Sequence, residues 1–261
     1  MTEPLLRVQD LTVSFEGFRA LNGMSLDILP KQVRVLIGPN GAGKSTLLDA
    51  IIGRVRPVAG RVIFKGQDIT RVSEYRIVRK GICRKFQAPG ILESLSVEEN
   101  LALAARRNRE WWASFNSGWS PAVRKEIEEV LVLIGLTEKR YAPARELSHG
   151  QKQWLEIGMV VASDAELLLL DEPAAGMSHA EAEQTAELIR RLTEWHSLLV
   201  IDHDMAFVAQ LEAPITVLHM GRVLRAGTLE EIRNDPEVAA IYLGRERESA
   251  KPAGGESHAQ A

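Results

Sequence analysis

The chain has 261 residues, of which 45% are hydrophobic and 26% charged, with a formal net charge of −3. This balance is ordinary for a globular protein and gives no support to nucleic-acid binding through a global basic field, so no nucleic-acid partner is predicted. No apolar run approaches the ~18–20 residues that a membrane-spanning helix needs, and the N-terminus lacks a signal-peptide pattern. The single cysteine, Cys83, excludes a disulfide framework, so a reducing cytosol is the expected compartment.

The first part of the chain, residues 5–85, is predicted to form a sheet-rich lobe. Several of its segments alternate between apolar and polar side chains, as half-buried strands do. One segment is almost wholly apolar and predicts a buried strand, and the segment after it has the apolar face of a helix. Strands are predicted for residues 5–15, 24–29, 33–37 and 61–66, and a helix for residues 46–52.

A glycine-rich turn joins the buried strand to this helix. Its residues match the phosphate-loop pattern G-x-x-x-x-G-K-[ST] at every specified position. The glycines let successive backbone N–H groups face phosphate oxygens, and the helix adds its positive end. Lys44 is expected to reach the β- and γ-phosphates, and the Ser45 hydroxyl to ligate Mg²⁺. The pattern predicts a nucleoside triphosphate site, against the alternative of a glycine turn followed by a surface lysine; its residues are Gly38, Pro39, Asn40, Gly41, Ala42, Gly43, Lys44, Ser45 and Thr46.

The middle of the chain has helical periodicity. Helices are predicted for residues 97–107, 121–134 and 151–161, and no convincing strand interrupts them. This interval therefore reads as an inserted helical subdomain. The expected division is a nucleotide-binding core of residues 5–87 and 165–244, with the helical subdomain at about 88–164.

Strand–helix alternation returns in the last third and predicts parallel strands in a doubly wound α/β core. The final residues, 245–261, have no apolar pattern and are predicted to be disordered. Strands are predicted for residues 167–170 and 197–201, helices for 180–194 and 205–211, and a hairpin for 215–219 with 222–225.

Two carboxylates, Asp171 and Glu172, follow the buried run of four leucines. Ligands in parallel sheets bind at the carboxyl ends of the strands, which is also where the phosphate loop lies. Asp171 is therefore expected to hold Mg²⁺ and Glu172 to deprotonate the water that attacks the γ-phosphate. The alternative is a strand that ends in solvated acids.

A second anion site is predicted at the start of the helix at 151–161. Ser148 is suited to cap this helix, and Gly150 leaves a backbone N–H uncrowded. Simple helix capping is the alternative.

Five features of the chain, in this order, resemble the motif set of ABC-type ATPases over residues 5–244. They are the phosphate loop, Gln87, Leu-Ser-x-Gly-Gln, Leu-Leu-Leu-Leu-Asp-Glu-Pro and His203. The resemblance implies a P-loop NTPase fold of ABC type, with a RecA-like parallel-sheet core, an antiparallel β subdomain and an inserted helical subdomain. It also implies hydrolysis of ATP to ADP and phosphate. Leu-Ser-x-Gly-Gln is the signature motif of this family. The segments around it and after Asp-Glu-Pro resemble those of the ATPases of importers for branched-chain amino acids and amides, and most of all those of urea-transporter ATPases.

The resemblance implies roles for several residues. Phe15 matches the aromatic residue that stacks on adenine. The alternative is that its side chain belongs to the buried core next to the strand. Gln87 matches the glutamine that touches Mg²⁺ or the attacking water and relays the nucleotide state to membrane subunits. His203 matches the histidine that senses the γ-phosphate, with a capping histidine as the alternative. The signature residues that contact ATP on the opposite subunit are Ser148, Gly150 and Gln151.

The resemblance implies transmembrane permease subunits and a second ATPase subunit, identical or related, as partners. The chain is then expected on the cytoplasmic face of the membrane, attached through the permease. Two other interpretations stay open: a non-transport ABC ATPase of DNA repair or translation, and a nucleotide-sensing module without catalysis. A phosphate-release assay separates the last from an ATPase.

Four features depart from the pattern or have no assigned role. His149 replaces the usual signature glycine, and Ser178 replaces an Asp or Asn that acts across the dimer interface. Asp202, next to His203, has no assigned role. The stretch 106–119, with three tryptophans, is interpreted either as a contact for membrane subunits or as cover for the helical core.

Overall fold

Residues 3–84, 90–105 and 119–241 are described by the computed structural model of the chain. The predicted site residue Gln87, the pair Trp111 and Trp112, and the tail 245–261 lie outside these residues. Within the described ranges, no helix is long and apolar enough to cross a bilayer.

The described strands form two sheets, one antiparallel and one mostly parallel. In chain order they are β1 (Leu6–Phe15), β2 (Phe18–Ile28), β3 (Val33–Ile37), β4 (Ala59–Phe64), β5 (Gln67–Asp68), β6 (Ile82–Arg84), β7 (Leu167–Asp171), β8 (Ser197–Ile201), β9 (Ile215–His219) and β10 (Arg222–Gly227). The antiparallel sheet has the order β2-β1-β4-β5, and the six-stranded sheet has the order β10-β9-β3-β8-β7-β6.

The α-helices of the described residues connect these strands or fill the interval between β6 and β7. They are α1 (Lys44–Ile51), α2 (Glu74–Lys80), α3 (Val97–Ala104), α4 (Pro121–Leu133), α5 (His149–Ala162), α6 (His179–Leu192), α7 (Met205–Gln210) and α8 (Leu229–Asn234).

The six-stranded sheet is the centre of the fold. β3 pairs in parallel with β8 and β9, and β7 pairs in parallel with β8 and β6, whereas β10 returns antiparallel to β9. The four leucines of β7 are fully buried. A continuous apolar run of this kind is typical of a strand that is covered on both faces.

The interval between β6 and β7 is helical wherever the structure describes it. α3, α4 and α5 pack on one another through buried aliphatic side chains such as Leu101, Ile127 and Leu155. Trp119 is partly buried against the same cluster. This supports the interpretation of a core-covering residue for Trp119.

Apart from shifts at the ends of elements, two features differ from the sequence prediction. Residues 5–85 do not form one lobe, because β3 leaves the antiparallel sheet and becomes the middle of the parallel one. The sequence prediction also lacks α2, because this seven-residue helix buries only Ile77 and has no apolar stripe, although Ser73 and Gly81 flank it as capping signals.

Candidate active site

The carboxyl ends of four neighbouring strands meet at one edge of the parallel sheet. Leu36 of β3 and Asp171 of β7 both lie opposite Ile201 of β8, so these strands end at the same level. Because ligands bind at such edges, the segments that follow the strands form the candidate site. They are the phosphate loop after β3, His203 after β8, Asp171 and Glu172 at the end of β7, and Arg84 at the end of β6.

The phosphate loop is a tight turn that depends on glycine. Gly41 and Gly43 have φ angles of 79° and 105°, and a Cβ atom at residue 43 would lie 2.5 Å from the carbonyl oxygen of Ala20. Lys44 Nζ donates to the carbonyl oxygens of Gly38 at 2.6 Å and Pro39 at 3.1 Å. The ammonium group is thus held against its own loop.

The start of α1 is suited to an anion. Gly43 is its N-cap and has no side chain to cap the helix, and no acidic residue lies in the first turn. In α5, by contrast, the Ser148 hydroxyl accepts from the N–H of Gln151 at 3.2 Å. The first N–H groups of a helix need partners and carry its positive dipole end. The loop and α1 therefore fit a phosphate group.

The side chains between α1 and β7 fit a magnesium ion. Ser45 and Asp49 are four residues apart and so lie on one face of α1. Asp49 and Asp171 are both bonded to Arg84, at 2.6 and 2.9 Å. Ser45 and Asp171 therefore lie on the two elements, α1 and β7, that Arg84 joins. In the described residues no cluster of three His, Cys, Asp or Glu side chains could hold a metal, but Mg²⁺ needs only one or two carboxylates besides phosphates and water.

Glu172 and His203 are in contact across the ends of β7 and β8. His203 Nδ1 donates to Glu172 Oε1 at 3.1 Å. The contact holds the exposed imidazole ring beside Glu172 through its Nδ1 atom, so that a further partner of the ring is met by Nε2.

The backbone of Glu172 is in the left-handed region, with φ 47°. Its N–H donates to the carbonyl oxygen of Ile201 at 2.8 Å, which anchors it to the end of β8. Non-glycine residues are rare in this region and are concentrated at functional sites, where the surrounding structure holds them. The conformation aims the side chain toward His203 rather than along the strand.

Asp202 fixes the turn that carries His203. Its Oδ1 atom accepts from the backbone N–H groups of His203 at 2.7 Å and Asp204 at 3.0 Å. The side chain is buried, and burial raises the pKa of its carboxyl despite these two bonds. Asp202, which has no assigned role in the sequence analysis, therefore holds the backbone of the turn that carries His203.

Phe15 lies at the end of β1, opposite Phe18 of β2. Its exposed fraction is 47%. The alternative of a strand core residue is therefore wrong, and an exposed aromatic face is available for stacking.

Replacing Phe15 by alanine is expected to weaken ATP binding by about 1–2 kcal/mol, since a stacking surface is lost. Phe15→Tyr should keep the affinity. Isothermal titration calorimetry measures both, with Tyr75→Ala as a control because Tyr75 is an exposed aromatic residue on α2. An alanine variant with full affinity and a lowered melting temperature contradicts the stacking role.

Residues 21–175 match the family model described as ABC transporter. The chain belongs to the ABC transporter family. It is 35% identical over 255 residues to the high-affinity branched-chain amino acid transport ATP-binding protein BraF of Pseudomonas aeruginosa, covering 94% of this chain and 99% of that protein. It is 34% identical over 253 residues to the corresponding protein LivG of Escherichia coli K12, covering 94% and 99%.

An ATP-binding cassette of an ABC transporter, solved in its ADP conformation, has a similar structure. The TM-score is 0.81 with 30% sequence identity, over 93% of this chain and 100% of that one. The predicted ABC-type fold is confirmed, and with it the predicted class of activity, ATP hydrolysis in a transporter subunit.

The signature segment of this ABC ATPase starts α5. Ser148 is the N-cap, as predicted, and it forms a reciprocal capping box with Gln151, whose side chain accepts from the Ser148 N–H at 3.1 Å. A Cβ atom at residue 150 would overlap the carboxylate of Glu181. A larger residue at this position would therefore displace the Glu181 carboxylate from its place.

His149 and Ser178, the two departures from the family pattern, both act on the segment between β7 and α6. His149 Nε2 lies 3.0 Å from the carbonyl oxygen of Ala175. Ser178 is the N-cap of α6 and shares a capping box with Glu181. The sequence analysis missed both contacts. The capping box could have been found, because Ser178 followed three residues later by Glu181 is a recognisable capping signal.

Proposed function

We propose that the chain is the ATP-hydrolysing subunit of an importer for branched-chain amino acids, urea or short amides. The observation that carries this proposal is the meeting of the phosphate loop, Asp171, Glu172 and His203 at one edge of the parallel sheet. These are the groups that phosphate binding, metal binding and activation of a water molecule require.

Each group has a separate task in the proposed mechanism. Lys44 and the first N–H groups of α1 bind the β- and γ-phosphates of the substrate, ATP. Ser45 and Asp171, together with Gln87, would hold Mg²⁺, which when bound would supply positive charge beside the phosphates. Glu172 accepts a proton from the attacking water, and the His203 side chain, held in place by Glu172, contacts the γ-phosphate.

The remaining predicted residues bind the rest of the nucleotide or belong to a second subunit's site. Phe15 stacks on adenine. The signature residues, Ser148, Gly150 and Gln151, contact ATP on an opposite ATPase subunit, identical or related. The exposure of Ser148 supports this, because its hydroxyl accepts from the N–H of Gln151 and can still donate to an external phosphate oxygen.

The proposed partners are transmembrane permease subunits, and the proposed location is the cytoplasmic face of the membrane that contains them. Relatives at about 35% identity are named as branched-chain amino acid transport proteins. The likeness of the signature segment to urea-transporter ATPases supports urea or short amides instead. We propose residues of about 88–164 as the helical subdomain that carries the signature motif.

Two measurements test this proposal. Purified protein should release phosphate from Mg·ATP; an intact ATP-binding protein that releases none would be a nucleotide sensor. Affinity purification from the native cells should recover permease subunits, and reconstitution of that complex with branched-chain amino acids or urea identifies the solute. Recovery of DNA-repair or translation proteins without a permease would contradict the importer.

A further inference from the structure

Arg84, the last residue of β6, is a buried cation between two carboxylates. Its side chain is 7% exposed. Nη1 donates to Asp49 Oδ1 at 2.6 Å, and Nη2 donates to Asp171 Oδ2 at 2.9 Å. One guanidinium therefore joins three elements: β6, the end of β7, and the helix α1 that starts from the phosphate loop.

Stability of the fold does not by itself explain this arrangement. Burying a guanidinium costs free energy that its ion pairs only partly return, and apolar residues of similar volume often serve as well. The planar fork of arginine presents its donors in a fixed geometry, whereas the ammonium group of lysine is a compact charge on a flexible stem. The geometry is thus better explained by the position that it imposes on Asp171.

Asp171 is the carboxylate proposed to bind Mg²⁺, and it needs a defined orientation. Arg84 engages its Oδ2 atom, and Oδ1 is the atom that would face the metal. Asp49 engages the other arm of Arg84 and is on the same face of α1 as Ser45, the second proposed ligand. The bridge therefore fixes the distance between the two ligand-bearing elements.

We infer that Arg84 is a positioning residue, which orients the metal-binding carboxylate Asp171 relative to α1 and the phosphate loop. This inference rests on the proposed Mg²⁺ site. Hydrogen-bonded partners of metal ligands typically contribute about 10–100-fold to metal affinity or activity. Loss of the bridge should appear in the part of nucleotide affinity that depends on Mg²⁺, and only there.

The test compares ATP binding in excess Mg²⁺ with ATP binding in EDTA, by calorimetry over a time short relative to hydrolysis or with a non-hydrolysable analogue. The ratio of the two dissociation constants is the metal contribution. Arg84→Lys keeps the charge but loses the two-armed bridge, so the metal contribution should fall roughly 10-fold or more. Its affinity in EDTA should remain within about two-fold of the original, since the phosphate loop is untouched.

Arg140→Lys is the matched control. Arg140 also bridges two acids from separate helices, Glu98 and Glu128, at 2.5 Å each, but it lies in the helical interval far along the chain from the phosphate loop. Both affinities should stay unchanged in this variant. If Arg84→Lys lowers the ATP affinity equally in Mg²⁺ and in EDTA, and also lowers the melting temperature, then Arg84 has a structural role and the inference is overturned.

Two further variants separate this inference from the metal site itself. Asp171→Asn should abolish the metal contribution; if it does not, or if the original chain has none, the proposed Mg²⁺ site is wrong and the inference falls with it. If Asp171→Asn loses the contribution while Arg84→Lys keeps it, only the inference is overturned. Should Arg84→Lys fail to fold, Asp49→Asn weakens the same bridge and should reduce the metal contribution in the same direction, and an unchanged value overturns the inference.

Discussion

Replacing Glu172 by glutamine is expected to slow ATP turnover at least ~100-fold, the low end for loss of a general base. Glutamine keeps the shape of glutamate and can still hydrogen-bond a water molecule, but it cannot accept that water's proton at neutral pH. Binding of Mg·ATP should remain normal. Steady-state phosphate release and titration calorimetry measure the two quantities.

A matched control lies at the other end of the same strand. Glu166 precedes β7 and pairs with Lys65 at 2.5 Å, away from the candidate site. Glu166→Gln removes the same charge from the same segment and should leave turnover unchanged. Wild-type turnover in Glu172→Gln would refute the catalytic role.

The same variant tests the proposed second subunit. With hydrolysis stalled, ATP held between Lys44 of one subunit and Ser148 of another should keep the two together, by mass action on the closed form. Size-exclusion chromatography with Mg·ATP should show a dimer that dissociates when Mg²⁺ is chelated. If the chain requires a related ATPase, the dimer should form only with that partner. An inactive variant that stays monomeric with either partner would contradict the shared site while leaving Glu172 as the general base.

Replacing Lys44 by alanine is expected to lower ATP affinity about 100-fold. Hydrogen bonds to charged groups contribute about 1.5–3 kcal/mol each, and Lys44 is proposed to face two phosphates. In the structure its ammonium group already lies on the loop, 2.6 Å from the Gly38 carbonyl oxygen. Little rearrangement is therefore needed to reach a bound phosphate.

Calorimetry with ATP measures this loss, with Lys125→Ala as the control because Lys125 pairs with Glu129 on the exposed side of α4. A thermal unfolding scan without nucleotide tests whether the alanine variant keeps its fold. Unchanged ATP affinity in a folded Lys44→Ala protein would rule out the phosphate loop as the nucleotide site.

Much of the fold can be predicted because local and tertiary preferences agree. β3, the glycine turn and α1 follow one another with a buried strand, positive-φ glycines and an apolar helix face, and each signal is local. The bounds of β3 and β8 coincide with the predicted 33–37 and 197–201. α1 begins two residues earlier than predicted, because Lys44 and Ser45 are polar and add nothing to its apolar stripe.

The rest depends on contacts between distant parts of the chain. The bridge from Arg84 to Asp49 and Asp171 spans 35 and 87 residues of sequence, and no periodicity encodes it. The contact from His149 to Ala175 is of the same kind. Likewise, the exposure of Phe15 follows from the end of the β1–β2 hairpin rather than from the alternation along β1, which would equally allow a buried side chain.

The left-handed backbone at Glu172 has a consequence for laboratory evolution of this protein. A residue with a Cβ atom costs roughly 1–2 kcal/mol in that conformation, a cost that glycine does not have. A library screened only for thermal tolerance would therefore enrich glycine at residue 172 and discard the proposed general base. Selection for thermal tolerance and selection for ATP turnover therefore favour different residues at this position, as is common where activity requires a strained site. Screens of this chain should accordingly hold residue 172 fixed.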